Sequence, residues 1–282
     1  MSNLREIKRR ISTVESIAHV TDAIQKIAAA RVIKAKKRAQ NFKKYIDEYS
    51  NIVARLIQDK EEHPLLKPNN SGYELLVVVT QDKGLCGGFH TAVFDKVDTF
   101  IKENGKKDFQ LIVCGKKGVH HYEKLQYKIL LKKVNIPIFT KEEDIEDITD
   151  LIDQNVINKS VSSVNIIYNE FVSATNYEPR IKKLYPLDIT ASKNIGSTFY
   201  YYEPDPSSIT DFIIPKYLSY SILQAFLESS ASEHSARMIM MERASKNANE
   251  MIDHLTNLRN KSRQSMITSE LSEIVSTIEA LS

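Results

Sequence analysis

Near the start of the chain, Leu4, Ile7, Ile11, Val14, Ile17, Val20, Ile24 and Ile27 follow one another at steps of three or four. That rhythm predicts one face of a long helix. The far end behaves similarly through Ala244, Ala248, Met251, Leu255 and Leu258, and then changes phase. Continued in step, the series would land on Ser262, Ser265 and Ser269. Instead a new apolar series runs Ile267, Leu271, Ile274, Ile278 and Leu281. Nothing in either arm stops a helix. All eight glycines lie between Gly72 and Gly196 and all eight prolines between Pro64 and Pro215, so residues 1–63 and 216–282 carry no breaker. At about 1.5 Å per residue each arm could reach roughly 80–100 Å, and a helix that long needs a partner along its side.

The simplest partner for each arm is the other, as an antiparallel coiled coil. The first helix is predicted to end near Ile57, before "HPLLKPNNSG". The second is predicted to start at Pro215, a residue suited to a first helical turn, with a shorter helix opening at Pro206 under an Asp205 cap. With their bases aligned, the second arm outruns the first by about 13 residues, on the order of 20 Å. The phase change falls near that overhang, where the stripe no longer has to face the first helix.

Between the arms the pattern shortens. "YELLVVVT" (73–80), "FQLIVCG" (109–115), "YKILL" (127–131) and "SVNIIYNEF" (163–171) read as strands, with helices at 89–102 and within "EDIEDITDLIDQNVI". Alternating strands and helices argue for a parallel or mixed sheet. The expected fold class is thus α/β plus long helices. Residues 1–60 form the N-terminal helix of the coiled coil, 72–196 an inserted Rossmann-like α/β domain, and 206–282 the C-terminal helix.

Composition narrows the function. The hydrophobic share of 42% and charged share of 27% are those of a soluble protein. No run of about 18 apolar residues would cross a membrane, and the first twelve residues lack the apolar region of a signal peptide. Cys86 and Cys114, the two cysteines, suggest neither a disulfide framework nor a zinc site. A reducing, cytoplasmic setting is the default.

Candidate chemistry is sparse. "KGLCGG" after a strand resembles a phosphate cradle but lacks the full phosphate-loop and dinucleotide patterns, so a tight strand-to-helix turn is the competing reading. Cys86 and His90 stand four residues apart as a nucleophile and base would, without an orienting third group. His120 and His121 are adjacent and point apart on a helix, a poor metal pair. Lys26, Arg31, Lys34, Lys36, Lys37, Arg38, Lys43 and Lys44 make a basic stretch with no acid between Asp22 and Asp47. It reads as a solvated helix face, as a surface for an acidic protein, or as the arm of a coiled-coil nucleic-acid-binding protein. Arg263 and Gln264 stand at the phase change, either as exposed polar residues or as a grip on something outside the helix pair. Tyr200, Tyr201 and Tyr202 in "STFYYYEPDP" read as strand packing or, since three adjacent tyrosines cannot all be buried on one face, as an exposed contact surface.

Taken in order, "IKRRISTVESIAHVTDAIQKIAAARV" (7–32), "DKGLCGG" (82–88), "YEPDP" (202–206), "ESSASEHSARMIMMERASKNA" (228–248) and "RQSMITSELSEIVS" (263–276) resemble the gamma subunit of F-type ATP synthases over essentially the full length. Where that family has Gly-Ala after the last segment, this chain has Thr277-Ile278. The resemblance implies a central-stalk rotor that couples ion flow through the membrane ring to ATP synthesis or hydrolysis at the beta subunits. It implies no catalysis by this chain alone, no cofactor, no metal and no small-molecule substrate of its own. The implied partners are three alpha and three beta subunits, epsilon and the c ring. The implied place is peripheral, on the cytoplasmic face of a bacterial inner membrane, with an organellar or thylakoid membrane as the other setting. Carried over by position, Arg263, Gln264, Thr268 and Glu270 would meet the alpha/beta ring, with Ile267, Leu271 and Ile274 on the tip inside its apolar sleeve. Ile24, Lys83 and Cys86 would face the levers of the beta subunits, whose acidity would suit the basic stretch. Tyr202 and Glu203 would lie near the c ring and epsilon.

Overall fold

The computed structural model describes residues 2–57, 63–105, 108–187, 203 and 206–281. They contain five helices and five strands. Helix α1 is Ser2–Ile57, followed by strand β1 (Tyr73–Val79), helix α2 (Phe89–Asn104), strand β2 (Phe109–Cys114), helix α3 (Lys116–Lys124) and strand β3 (Ile129–Lys133). A short 3-10 turn at Glu142–Ile145 leads into helix α4 (Glu146–Ile157). Strands β4 (Val161–Phe171) and β5 (Tyr177–Tyr185) and helix α5 (Pro206–Leu281) complete the chain. Two compact units emerge. One holds residues up to Ala28 together with Met238 onward, and the other holds Ala29–Arg237. Both borders fall inside long helices, not at the ends of elements.

The larger unit is built on a single sheet of order β3-β2-β1-β4-β5. β1 pairs in parallel with both β2 and β4, β3 runs parallel to β2, and β5 closes the edge antiparallel to β4. The chain reverses its direction of strand addition at β1, so the loops after β1 and β4 diverge there and leave a switch point. β1 is buried on both faces. Leu75, Val77 and Val79 join Ile148 and Ile152 of α4 and Leu218, Ile222 and Phe226 of α5. Leu76 and Val78 join Val93 and Val97 of α2 and Tyr122 of α3 on the opposite side. The result is three layers, with the polypeptide's two long helices supplying part of one. Their aromatic residues interlock there. Tyr49 stacks on Tyr217 with ring centres 6.5 Å apart, Phe42 meets Tyr220 edge-on, and the Tyr49 hydroxyl donates to the Ile213 carbonyl. Rising numbers on α1 meet falling numbers on α5, so this pairing is antiparallel.

In the smaller unit, Ile7 and Ile11 of α1 bury themselves against Leu255 of α5, with Val14 packed beside them. Beyond Val14 the observed seam departs from the predicted stripe. Ile17, Val20 and Ile27 are about half exposed, and burial passes to Ala18 and Ala28. Alanine lets helices approach closely, and a straight helix drifts out of a strict heptad rhythm, so the larger apolar residues are left on a second face. α5 corrects its prediction in the same way. Met251 and Leu258 are exposed, while Ala248 and Leu255 are buried and Ile252 is half-buried.

The start of the C-terminal helix also differs from expectation. α5 runs unbroken from Pro206 with Pro215 inside it. Proline forfeits one hydrogen bond within a helix, and Ile214, Leu218, Ile222 and Phe226 bury the flanking turns in the core and hold them helical.

Candidate functional site

The segment from Thr80 to Gly88 leaves β1 at the switch point and is tied down at both ends. Thr80 donates its hydroxyl to the Cys114 carbonyl at 2.6 Å and accepts from the Gly118 amide at 3.0 Å. The Asp82 carboxylate accepts from the Lys116 and Ile136 amides. Cys86 and His90, the paired residues of the sequence, both turn to the Lys83 carbonyl, at 3.9 Å and 3.1 Å. Burial pushes the Cys86 thiol up to about 11 and depresses the His90 imidazole. A thiol so held is not ionised near neutrality, and among the described residues no third group orients a base beside it. The geometry is that of loop closure. It leaves Lys83 exposed and presents Leu85, 62% exposed with a backbone φ of +63°, as the outermost apolar residue. Cys86 itself is 2% exposed, so what the loop can offer a partner is Lys83 and Leu85.

Behind the loop, α5 is buried on every side from Ser221 to Arg237. A helix surrounded by protein must satisfy its polar side chains internally, and here serines do much of that. Ser230 donates to the Ile138 carbonyl, Ser232 to that of Asn169 and Ser235 to that of Ala174. Asn169 in turn donates its amide to the Phe89 carbonyl at the start of α2. Arg237 reaches the Gly84 carbonyl through both Nε (3.2 Å) and Nη2 (3.1 Å) and pairs with Glu233, both side chains being less than a tenth exposed. Its Nη1 lies 3.2 Å from His234 Nδ1. An arginine can only donate, so Nδ1 is the acceptor and the His234 proton sits on Nε2, which finds no partner among the described residues. The motif "ESSASEHSARM" signalled similarity, but its placement against "DKGLCGG" needed the fold.

Burial, and then the cations Arg237, Arg31 and Lys83, hold the His234 imidazole down at about 4 against an ordinary 6.5. Above pH 6.5 it is neutral whether the chain is folded or not. As pH falls from 6.5 towards 4, the unfolded chain takes up a proton that the folded one refuses, and stability is lost. The expected loss between pH 7 and 4.5 is about 2–3 kcal/mol. Denaturant midpoints at the two pH values should show it, and His234→Asn should flatten that part of the slope. Identical slopes in the two proteins would show that His234 is not its source.

The basic stretch of α1 is less free than its sequence suggests. Lys26 pairs with Asp22 at 2.7 Å, and Arg38 donates to the Thr140 carbonyl while lying over the Phe139 ring. Lys43 lies 3.6 Å from Glu170. Lys34, Lys36, Lys37 and Lys44 remain exposed, and Lys34, Lys37 and Arg38 line a shallow groove with Asn41, Phe42 and Tyr45. Ile24 is half-buried, with Ile17, Val20 and Ile27 exposed along the same helix.

The end of α5 is the third candidate surface. From Arg263 to Ile278 every residue is exposed except Met266, so the unaccompanied stretch begins about six residues earlier than arm lengths suggest. Arg263, Gln264, Thr268 and Glu270 all face solvent. Ile267, Leu271, Ile274 and Ile278 are 45%, 58%, 56% and 62% exposed along one line of the helix. Beside them Thr268, Ser272 and Ser276 each donate a hydroxyl to the carbonyl four residues earlier. That end is therefore apolar on one side, and the hydroxyls of Thr268, Ser272 and Ser276 are already spent on its own backbone. Tyr202 lies outside the described residues, as do Tyr200, Tyr201 and Asp205; Glu203 is exposed.

Among the described residues no group of three or more histidine, cysteine, aspartate or glutamate side chains is placed to hold a metal. No described helix is long and apolar enough to cross a membrane.

The family model described as ATP synthase matches residues 3–281. The ATP synthase gamma chain of Halothermothrix orenii is 34% identical over 100% of both chains, and that of Pelagibacter ubique is 33% identical, again over 100% of each. Among solved structures, a chain of the central stalk and c-ring of the Tetrahymena thermophila mitochondrial ATP synthase superposes with a TM-score of 0.59. It is 24% identical and covers 80% of this chain and 99% of its own. A chain from the Euglena gracilis mitochondrial ATP synthase gives 0.66 at 16% identity, covering 99% and 95%. These two show the fold. Neither the relatives nor the structural neighbours support a nucleic-acid-binding arm, and the carboxylates of Asp22 and Glu170 beside Lys26 and Lys43 offset part of the charge that reading relied on.

Proposed function

This chain belongs to the ATP synthase family as a gamma chain, and we propose that it turns as the central shaft of such a synthase. It is a non-catalytic subunit. In this reading the α5 end from Arg263 sits within a ring of three alpha and three beta subunits. Residues 72–196 form the foot, Glu203 and Tyr202 approach the c ring and epsilon, and Ile24, Lys83 and the loop around Cys86 face the beta levers. Lys34, Lys36, Lys37 and Lys44 meet acidic surfaces of those levers. In this reading the complex lies peripherally on the cytoplasmic face of a bacterial inner membrane.

The observation that carries the reading is the match to gamma chains along the whole length of both partners. The exposed line Ile267, Leu271, Ile274 and Ile278 supports its mechanical part. A helix end in water has no reason to keep four large apolar residues in register, whereas an apolar sleeve does. Turning couples to chemistry only if the shaft touches the three beta subunits unequally, because equal contact shifts no equilibrium. One asymmetric chain inside a threefold ring provides that inequality.

The test is reconstitution. Tagged chain should co-purify with alpha and beta subunits, and membranes rebuilt with it should couple ATP hydrolysis to ion movement. Alpha and beta subunits alone should hydrolyse ATP without moving ions. Normal ion-coupled synthesis by a complex lacking the chain would overturn the assignment.

A further inference from the structure

We propose that Arg237 is a positioning residue that latches the loop 80–88 to helix α5, fixing Lys83 and Leu85 where they meet their partner. The proposal rests on the rotor reading only for the identity of that partner.

The case begins with what holds each part of the loop. Its first residues are anchored to the sheet layer, through Thr80 to Cys114 and Gly118 and through Asp82 to Lys116 and Ile136. Its middle has no such tether to a strand. The Lys83 carbonyl is held from within the loop and the start of α2, by Cys86 and His90. Among the described residues the Gly84 carbonyl is held from α5 by Arg237, through two of the guanidinium's donors. Gly84 immediately precedes Leu85, which stands at φ +63° with its side chain outward. A branched-chain apolar residue does not settle in that backbone region unaided, so its neighbour must be fixed from outside.

The guanidinium is itself fixed. Glu233 lies one turn back on the same helix and takes Nη2, and His234 Nδ1 takes Nη1. Nε and Nη2 are then directed at Gly84. A planar fork held on two sides in a buried site has one orientation, which a lysine cannot reproduce. The group is also expensive to keep buried, since a charge out of water needs full pairing. Packing alone would be met by a leucine. Two donors aimed at one carbonyl of an exposed loop point to holding that loop.

Cys86 reports the latch. It is 2% exposed in the loop itself, whereas Cys114, at 0%, is the last residue of β2 and lies in the core between the sheet and α4 and α5. In the full-length chain, Arg237→Lys should let Cys86 react with a soluble thiol reagent about 10- to 100-fold faster, as lost charge-assisted hydrogen bonds lower the cost of local opening. Cys114 should keep its rate. Equal acceleration of both thiols would mean general loosening, and no acceleration would mean that the loop holds itself; either overturns the proposal. Glu233→Gln, which keeps the arginine but releases its brace, should give a smaller acceleration confined to Cys86. In the assembled synthase, Arg237→Lys should lower ions moved per ATP while leaving assembly intact. If labelling changes as expected and coupling does not, the latch stands and the loop's assignment to the beta levers fails.

Discussion

Changing Ile267, Leu271 and Ile274 together to glutamine is expected to leave this chain as stable as before and to cripple the synthase built from it. The side chains are roughly half exposed in the chain alone, so little buried area is lost there. Glutamine is at least as good a helix former as isoleucine, so α5 should not fray. Inside an apolar sleeve the same groups would be largely dehydrated, each contributing about 2 kcal/mol. Three such losses amount to roughly 6 kcal/mol, or about ten-thousandfold in affinity for the ring. Thermal unfolding of the isolated chain should therefore be unchanged, while co-purification with alpha and beta subunits and coupled turnover collapse. A synthase that assembles and turns over normally with the triple variant would remove the end of α5 from the interface.

Gly115→Ala should have the largest effect on the chain itself. Gly115 follows β2 with φ +94°, and an added Cβ would lie 2.6 Å from the Gln81 amide nitrogen, the Thr80 carbonyl carbon and the Thr80 hydroxyl. Two of those three atoms are backbone and cannot swing aside. The substitution combines a disfavoured conformation with a clash at the junction of β1, β2 and α3, on the order of 4 kcal/mol. That is a large share of the roughly 5–15 kcal/mol that holds a domain folded. Gly88→Ala is the control. Its φ is −76° and nothing lies within 4 Å of the new methyl, so it should cost little. A urea titration in which the two variants unfold together would refute the steric account.

Much of this architecture could be read from the order of residues. The ends of α1 and α5 are visible because breakers are confined to the middle, and β1, β2 and β4 because each is a short apolar run. β5 does not show as a strand in the sequence. "YEPRIKKLY" has charges at four of nine positions and a proline at 179, which weakens a strand pattern. At the sheet edge those features are tolerated, because β5 pairs on one side with β4 and the other side carries no ladder. α3 is hidden too, being nine residues long with Gly118 inside. Gly118 is demanded by Thr80, whose hydroxyl would lie 2.6 Å from any Cβ there.

The surfaces divide in the same way. Arg263, Gln264 and the stripe from Ile267 stand out because a helical rhythm breaks there, and a break in rhythm is written in one dimension. Arg237 and Gly84 are 153 positions apart. Their meeting depends on the switch point in the sheet, and no local pattern reports it. Cys86 was legible as a residue of the loop, but its burial, and hence the prominence of Leu85 in its place, follows from packing against Phe89 and Ala236.

The serines of α5 have a consequence for slip. Ser230 points one way around the helix and Ser232 and Ser235 another, and their acceptors are Ile138 on one side and Asn169 and Ala174 of the β4–β5 hairpin on the other. A smooth apolar cylinder in a smooth socket can creep about its axis, exchanging one set of contacts for another at small cost. A helix with short teeth set in separate keyways cannot, because any small twist breaks all three at once. The buried stretch from Ser221 to Arg237 works as a spline in a hub, and the part of the chain that must not slip is the part that carries the teeth.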